Sequence, residues 1–149
     1  MTSIICYFIL SLPTTLLRFL SFLHELMAVP GAKLLFGGEL LPPPHSIPAC
    51  YGSWAPTAVQ VPLEALQDHA HFRLCTTEVF GPFQLIVEYS NDDQLDLLLQ
   101  LLEKTEAHLT AAIVSRSIDF QQKVLAATIN GTTYCGIRAR TTGAPQNHW

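Results

Sequence analysis

The stretch Thr77-Glu78-Val79-Phe80-Gly81-Pro82-Phe83 holds the residues best suited to chemistry in this chain. It sets a carboxylate and a large aromatic ring on a Gly-Pro turn, just ahead of a run of β-formers from Phe83 to Tyr89. A loop with one solvated glutamate and one core phenylalanine has the same local pattern, so the residues alone leave both readings open. His69-Ala70-His71 offers two imidazoles two residues apart, a spacing at which a strand presents both to one metal ion. No third ligand of suitable type lies nearby, so they read as solvated surface histidines and no metal site is assigned. Cys6, Cys50, Cys75 and Cys135 are scattered, with no C-x-x-C pair. That spacing speaks against structural zinc and a disulfide framework, and for separate, mostly buried thiols. G-x-G-x-x-G after a strand, G-x-x-x-x-G-K-[ST] and G-x-S-x-G do not occur, so neither a phosphate-cradling loop nor a hydrolase elbow is supported.

The elements that must position the turn follow from the patterning. Lys33-Leu34-Leu35-Phe36 reads as a short buried strand stopped by Gly37-Gly38. Leu41 to Pro48 holds four prolines and reads as an extended loop. Pro56 to Pro62 reads as a strand with prolines at its ends. Leu63 to His71 reads as a short helical turn. After the Phe83–Tyr89 strand, Ser90-Asn91-Asp92-Asp93 is a helix start with acids at the positive end of the dipole. Leu95, Leu98, Leu99 and Leu102 then repeat at helical spacing, and Leu97 and Leu101 widen the stripe. A strand at Thr110 to Val114, a helix from Ser117 with Phe120, Val124 and Ala127 inward, and a strand at Thr128-Ile129-Asn130 before Gly131 complete the run. Strand, helix, strand, helix, strand at this spacing predicts an α/β fold: a parallel βαβ sheet with helices on its faces.

Composition narrows the class. Of 149 residues only 13% are charged, against about 25% in an ordinary soluble domain. Hydrophobic residues reach 49%. This suits a membrane-associated protein or a piece of a larger one. The net charge of −4, without a basic stretch interleaved with aromatics, speaks against a nucleic-acid partner. Residues 1–27 stand apart from 28–149. From Ile4 to Leu23 the chain is apolar apart from hydroxyl residues, Pro13 and Arg18. That approaches the ~20 residues of a bilayer span. Yet no basic residue precedes Arg18, Pro13 interrupts a helix and Arg18 would sit in the apolar stretch. The segment reads as a helix that packs in a larger protein or as an atypical start to the chain, with a signal peptide or membrane anchor as the alternative. One arginine is too few for an amphipathic mitochondrial transit peptide.

Glu78-Val79-Phe80-Gly81-Pro82 resembles a hallmark segment of the aldehyde dehydrogenase superfamily. The resemblance extends from about Ala28 to Trp149. It takes in Val29 to Gly38, Pro56 to Pro62, His108 to Ala112, Asn130 to Tyr134 and the closing run Arg138 to Trp149. The closing run is similar to the plant-type 1-pyrroline-5-carboxylate dehydrogenase branch, which oxidises glutamate γ-semialdehyde with NAD in proline breakdown. The resemblance implies an α/β catalytic-domain fold, NAD as cofactor, an aldehyde substrate, a homo-oligomer and a mitochondrial location. It also implies that Glu78 accepts hydrogen bonds from the nicotinamide ribose hydroxyls and that Phe80 packs near the nicotinamide ring. A carboxylate suits a vicinal diol, since charge-assisted bonds are strong, and an aromatic wall restrains a ring during hydride transfer.

In the family a cysteine thiolate attacks the aldehyde, hydride passes to NAD, and a glutamate-activated water releases the acid. The Gly-Gln-x-Cys-type nucleophile motif and the general-base glutamate's motif do not occur in these 149 residues, and none of Cys50, Cys75 or Cys135 has the nucleophile's context. No catalytic residue is assigned. The expectation is therefore a partial catalytic domain, inactive alone, with part of the NAD site. The alternatives are a non-catalytic fragment that binds a full-length relative, and a small membrane-anchored protein.

Overall fold

The computed structural model describes residues 2–8, 15–48, 52–79, 81–106 and 108–140. Pro13, Cys50, Phe80 and most of the closing run lie outside the described residues. The chain divides into two compact units, 1–89 and 90–149.

The first unit is a four-stranded sheet backed by helix. Its strands are β1 (Thr2–Phe8), β2 (Lys33–Phe36), β3 (Thr57–Gln60) and β4 (Phe83–Tyr89), in the order β1-β4-β3-β2. β3 and β4 are parallel, with Thr57 opposite Phe83 and Val59 opposite Leu85. Parallel neighbours need a crossover. Here it is a 3-10 turn at Leu63–Gln67 followed by α2 (His69–Thr76). β3 is the innermost strand, with Thr57, Ala58 and Val59 all buried. The proline-bounded stretch thus forms the strand the sequence predicts.

β2 departs from expectation. It forms at Lys33–Phe36 but is exposed along its whole length, because it is an edge strand paired only to β3. Its stop is as expected: Gly37 and Gly38 take φ of +75° and +85°, a region that favours glycine.

The apolar N-terminal stretch is not one helix. Its start, β1, lies antiparallel to β4, from Thr2 opposite Tyr89 to Phe8 opposite Phe83. Helix α1 (Thr15–Met27) follows. Phe19, Phe22, Leu23 and Leu26 fall at i, i+3, i+4 and i+7 and are buried. Arg18, Ser21, His24 and Glu25 face out, so the basic residue that would burden a bilayer span lies on the wet side. Among the described residues no helix is long and apolar enough to cross a membrane.

α2 runs further than the short turn predicted at Leu63 to His71. Asp68 caps it by accepting from the amides of Ala70 (2.9 Å) and His71 (3.0 Å). The His71 amide, the largest influence, holds the Asp68 carboxyl below its ordinary value. His69 and His71 lie in the first turn of this helix, where residues two apart diverge by about 200°. A strand-type shared metal is thereby removed.

The second unit holds α3 (Asp92–Glu103), β5 (Thr110–Ile113), α4 (Ile118–Ala127) and β6 (Thr132–Cys135). β5 and β6 pair in parallel through α4, a second βαβ crossover. Asn91 caps α3 by accepting from the Gln94 amide (2.9 Å). Leu95, Leu98, Leu99 and Leu101 form the core with Val124 and Ile113. The strand predicted at Thr128-Ile129-Asn130 lies later, at Thr132–Cys135. Thr128 ends α4 in an extended conformation, with its hydroxyl donating to the Val124 carbonyl (2.8 Å). Pairing starts only where Gly131 N–H meets the His108 carbonyl (2.8 Å) and Thr132 N–H the Leu109 carbonyl (3.1 Å).

The α/β class predicted from the sequence is observed, with parallel pairing in both units. β4 takes β1 and β3 as ladder partners in the first unit, and β5 takes β6 in the second.

Candidate cofactor-contact site

Glu78, Val79, Gly81 and Pro82 connect the end of α2 to the start of β4. Thr77 ends the helix: its backbone turns extended and its hydroxyl donates to the Arg73 carbonyl (2.7 Å). The chain then leaves the helix with Glu78 exposed and Val79 half-buried. The Glu78 carboxylate takes no hydrogen bond or ion pair from any described residue. It is therefore free to accept from an incoming hydroxyl. Phe80, the other predicted contact, lies outside the described residues.

The far end of the turn is held firmly. The Phe83 amide donates back to the Gly81 carbonyl (2.8 Å). The Pro82 carbonyl accepts from the Thr57 amide (2.8 Å), so the turn is stitched to the first residue of β3. Gly81 is buried beneath Phe19 of α1: a Cβ there would stand 3.2 Å from two ring carbons. A larger residue there would need the Phe19 ring to give by a few tenths of an ångström. Phe19 packs tilted on Trp54 (centroids 4.5 Å) and edge-on to Phe83 (5.7 Å), and Phe22 meets Phe83 edge-on (5.4 Å). Such pairs add about 0.5–1.5 kcal/mol each beyond the area they bury.

Sequence reasoning overlooked the residues that support this turn. Thr57 is the only polar residue among the described residues in the buried set, at 1% exposed. Its hydroxyl accepts from the Gly38 amide (2.9 Å) and Trp54 Nε1–H (2.9 Å), and donates to the Ala55 carbonyl (2.8 Å). A threonine between Pro56 and the apolar run Ala58-Val59 is the only local signal, and it names no partner.

Among the described residues no group of three His, Cys, Asp or Glu side chains is placed to hold a metal. Burial pushes the Cys75 thiol up to about 12, which keeps it protonated and unreactive near neutrality. Cys135 is exposed at the end of β6. In the second unit, Lys123 of α4 meets Asp96 of α3 at 2.7 Å, and this carboxylate raises the lysine's pKa.

No protein-family model matches the chain. Solved structures share its fold. Glyceraldehyde-3-phosphate dehydrogenase from Methanocaldococcus jannaschii, solved with NADP, is similar at a TM-score of 0.59 and 20% identity, over 82% of this chain and 22% of that one. PnpE, solved with nicotinamide adenine dinucleotide, is similar at 0.57 and 24% identity, over 79% and 22%. A protein of Linum usitatissimum named "Probable aldehyde dehydrogenase" is 55% identical over 130 residues, which is 87% of this chain and 23% of that protein. The α/β fold with its parallel crossovers, and this identity, place the chain in the aldehyde dehydrogenase superfamily. Within it, the chain is 54% identical over 131 residues to Delta-1-pyrroline-5-carboxylate dehydrogenase 12A1, mitochondrial, of Arabidopsis thaliana, again over 87% of this chain and 23% of that one. The chain thus spans about a quarter of the length of the curated relatives it matches, and corresponds to part of the family's domain.

Proposed function

We propose that the chain is part of an NAD-dependent aldehyde dehydrogenase of the 1-pyrroline-5-carboxylate branch, oxidising L-glutamate γ-semialdehyde to glutamate. The observation that carries this reading is the exposed Glu78 carboxylate, without a partner among the described residues, on a turn pinned to β3 through Pro82 and Thr57. The identity to a named pyrroline-5-carboxylate dehydrogenase supports the substrate, and that relative's mitochondrial name supports the compartment. The residues present fit part of a nicotinamide site. Glu78 would accept from the ribose hydroxyls, and Phe80 would lie against the ring. NAD supplies the hydride acceptor when bound. What this chain's residues would do is orient the nicotinamide ribose: a carboxylate carried on a turn that is held at its Gly81-Pro82 end reduces the freedom lost when the diol binds.

The nucleophile motif and the general-base motif do not occur in the 149 residues, so the chain alone holds one wall of the site without the reacting groups. It is expected to be inactive by itself. Two measurements test the reading. Purified chain with NAD and pyrroline-5-carboxylate should show no NADH absorbance above a Glu78→Ala control; turnover above that control would overturn the inactivity. Saturation-transfer NMR should show contact to the nicotinamide ribose protons in the wild type and its loss in Glu78→Ala. No wild-type contact, or an equal contact in both, would overturn the role given to Glu78.

The exposed apolar residues of β2 (Leu34, Leu35 and Phe36) favour one second reading, docking of the chain on a full-length relative. Co-elution of the two in size-exclusion chromatography supports it, and independent elution removes it.

A further inference from the structure

The Thr57 hydroxyl has one proton to donate and two lone pairs, and all three are used. Its partners come from two places in the chain: the glycine stop after β2 (Gly38), and the loop before β3 (the indole of Trp54 and the carbonyl of Ala55). Two routes run from Thr57 to the Gly81-Pro82 turn. One is direct, from the Thr57 amide to the Pro82 carbonyl, a main-chain bond that does not depend on the side chain. The other runs through the indole of Trp54, fixed by its bond to Thr57, onto Phe19, whose ring closes over Gly81.

We propose that Thr57 is a positioning residue for the cofactor-contact turn, holding the Gly81-Pro82 end in place and thereby aiming Glu78 into the nicotinamide site. The inference rests on the reading of that turn given above, but its mechanical content stands on the hydrogen bonds alone. Threonine satisfies the position in two ways. The hydroxyl pairs two part-buried N–H groups, and the β-branched shape suits a buried strand. Valine keeps the shape and orphans both donors. Serine keeps the hydroxyl and gives up only a methyl group.

Amide hydrogen exchange by NMR on the intact chain tests this in Thr57→Val and Thr57→Ser. In Thr57→Val, exchange at Gly81 and Phe83 should quicken about tenfold or more relative to Val59 and Leu85 in the strand interiors, since a lost buried hydrogen bond is worth roughly one decade. Thr57→Ser should restore the turn to near its native protection. A merely structural role in the core would speed all four amides together, and that result overturns the proposal. So does a serine variant that behaves like valine. If Thr57→Val does not fold, Trp54→Phe keeps the aromatic packing while deleting one donor. Selective quickening at Gly81 and Phe83 then supports the proposal, and unchanged exchange overturns it. Failure of the wild type to contact the nicotinamide ribose would sink the cofactor reading while leaving the exchange result to decide the role of Thr57.

Discussion

Replacing Gly37 with alanine should be far more damaging than the same change one residue later. Gly37 and Gly38 both have positive φ, +75° and +85°. Left-handed backbone costs a non-glycine residue about 1–2 kcal/mol, and that applies to both. Their surroundings differ. A Cβ on Gly37 runs into the Pro56 carbonyl oxygen, and comes to 2.5 Å from Thr57 Oγ1 and 2.7 Å from Thr57 Cα. Two of these are backbone atoms of the innermost strand or its lead-in, and cannot swing away. The chain after β2 must shift instead, which breaks the bond from the Gly38 amide to Thr57 Oγ1. A lost hydrogen bond of this kind adds about 0.5–1.5 kcal/mol, before any loss of packing. Gly37→Ala should therefore cost about 2–4 kcal/mol. A Cβ on Gly38 meets Leu34 Cδ2 at 3.0 Å, Leu23 Cδ2 at 3.4 Å and Leu34 Cδ1 at 3.5 Å, all far ends of flexible side chains, so Gly38→Ala should cost about 1–2 kcal/mol. The assay is urea unfolding followed by Trp54 fluorescence in a Trp149→Phe background, which leaves one indole, in the first unit. Following that unit alone matters, because a chain of two compact units need not unfold in a single step. If Gly37→Ala is no more destabilising than Gly38→Ala, the close approach between the glycine stop and Pro56-Thr57 is not real, and the anchoring of the turn through Thr57 weakens with it.

Two further outcomes follow from titration and burial. Cys75 is pushed up to about 12 by desolvation while Cys135 is exposed, so iodoacetamide near pH 8 should label Cys135 well before Cys75, with denaturant removing the difference; equal native rates by peptide mapping would contradict the burial. The raised pKa of Lys123 means its pairing with Asp96 contributes stability that is fully present below the lysine's unfolded value, about 10.4, and is lost as pH rises through the higher folded value. Asp96→Asn should flatten that alkaline fall in stability of the second unit, and an unchanged slope in denaturation curves would show that the pair is uncoupled from folding.

Some of this was legible in the residues because the physics is local. The helix start at Ser90 to Asp93 is a pattern of acceptors ahead of a leucine stripe, and the Asn91 cap and the buried Leu95, Leu98 and Leu99 realise it. Pro56 and Pro62 bracket β3 because proline closes a ladder at its ends. The residues of the Glu78 to Pro82 segment left its role open, and it stood out by its resemblance to the family's hallmark; the strand signal from Phe83 onward placed it ahead of β4.

Pairing and coverage were not legible, because they depend on residues distant in sequence. Lys33 to Phe36 has a buried strand's composition, yet its side chains are exposed, since edge position is a property of the sheet and not of the segment. The apolar run at the N-terminus has nothing in it to say that its first part would pair with β4 while its second would turn Phe19 and Phe22 onto Phe83. The sequence by itself pointed to Glu78 and Phe80 as candidates, and to the segments that become β2, β3, β4, α3, β5 and α4. Only the tertiary structure decided what holds Glu78's turn in place. Thr57 meets Gly38 across 19 residues, and its amide reaches Pro82 from the neighbouring strand, and no local propensity encodes where a buried hydroxyl finds its partners.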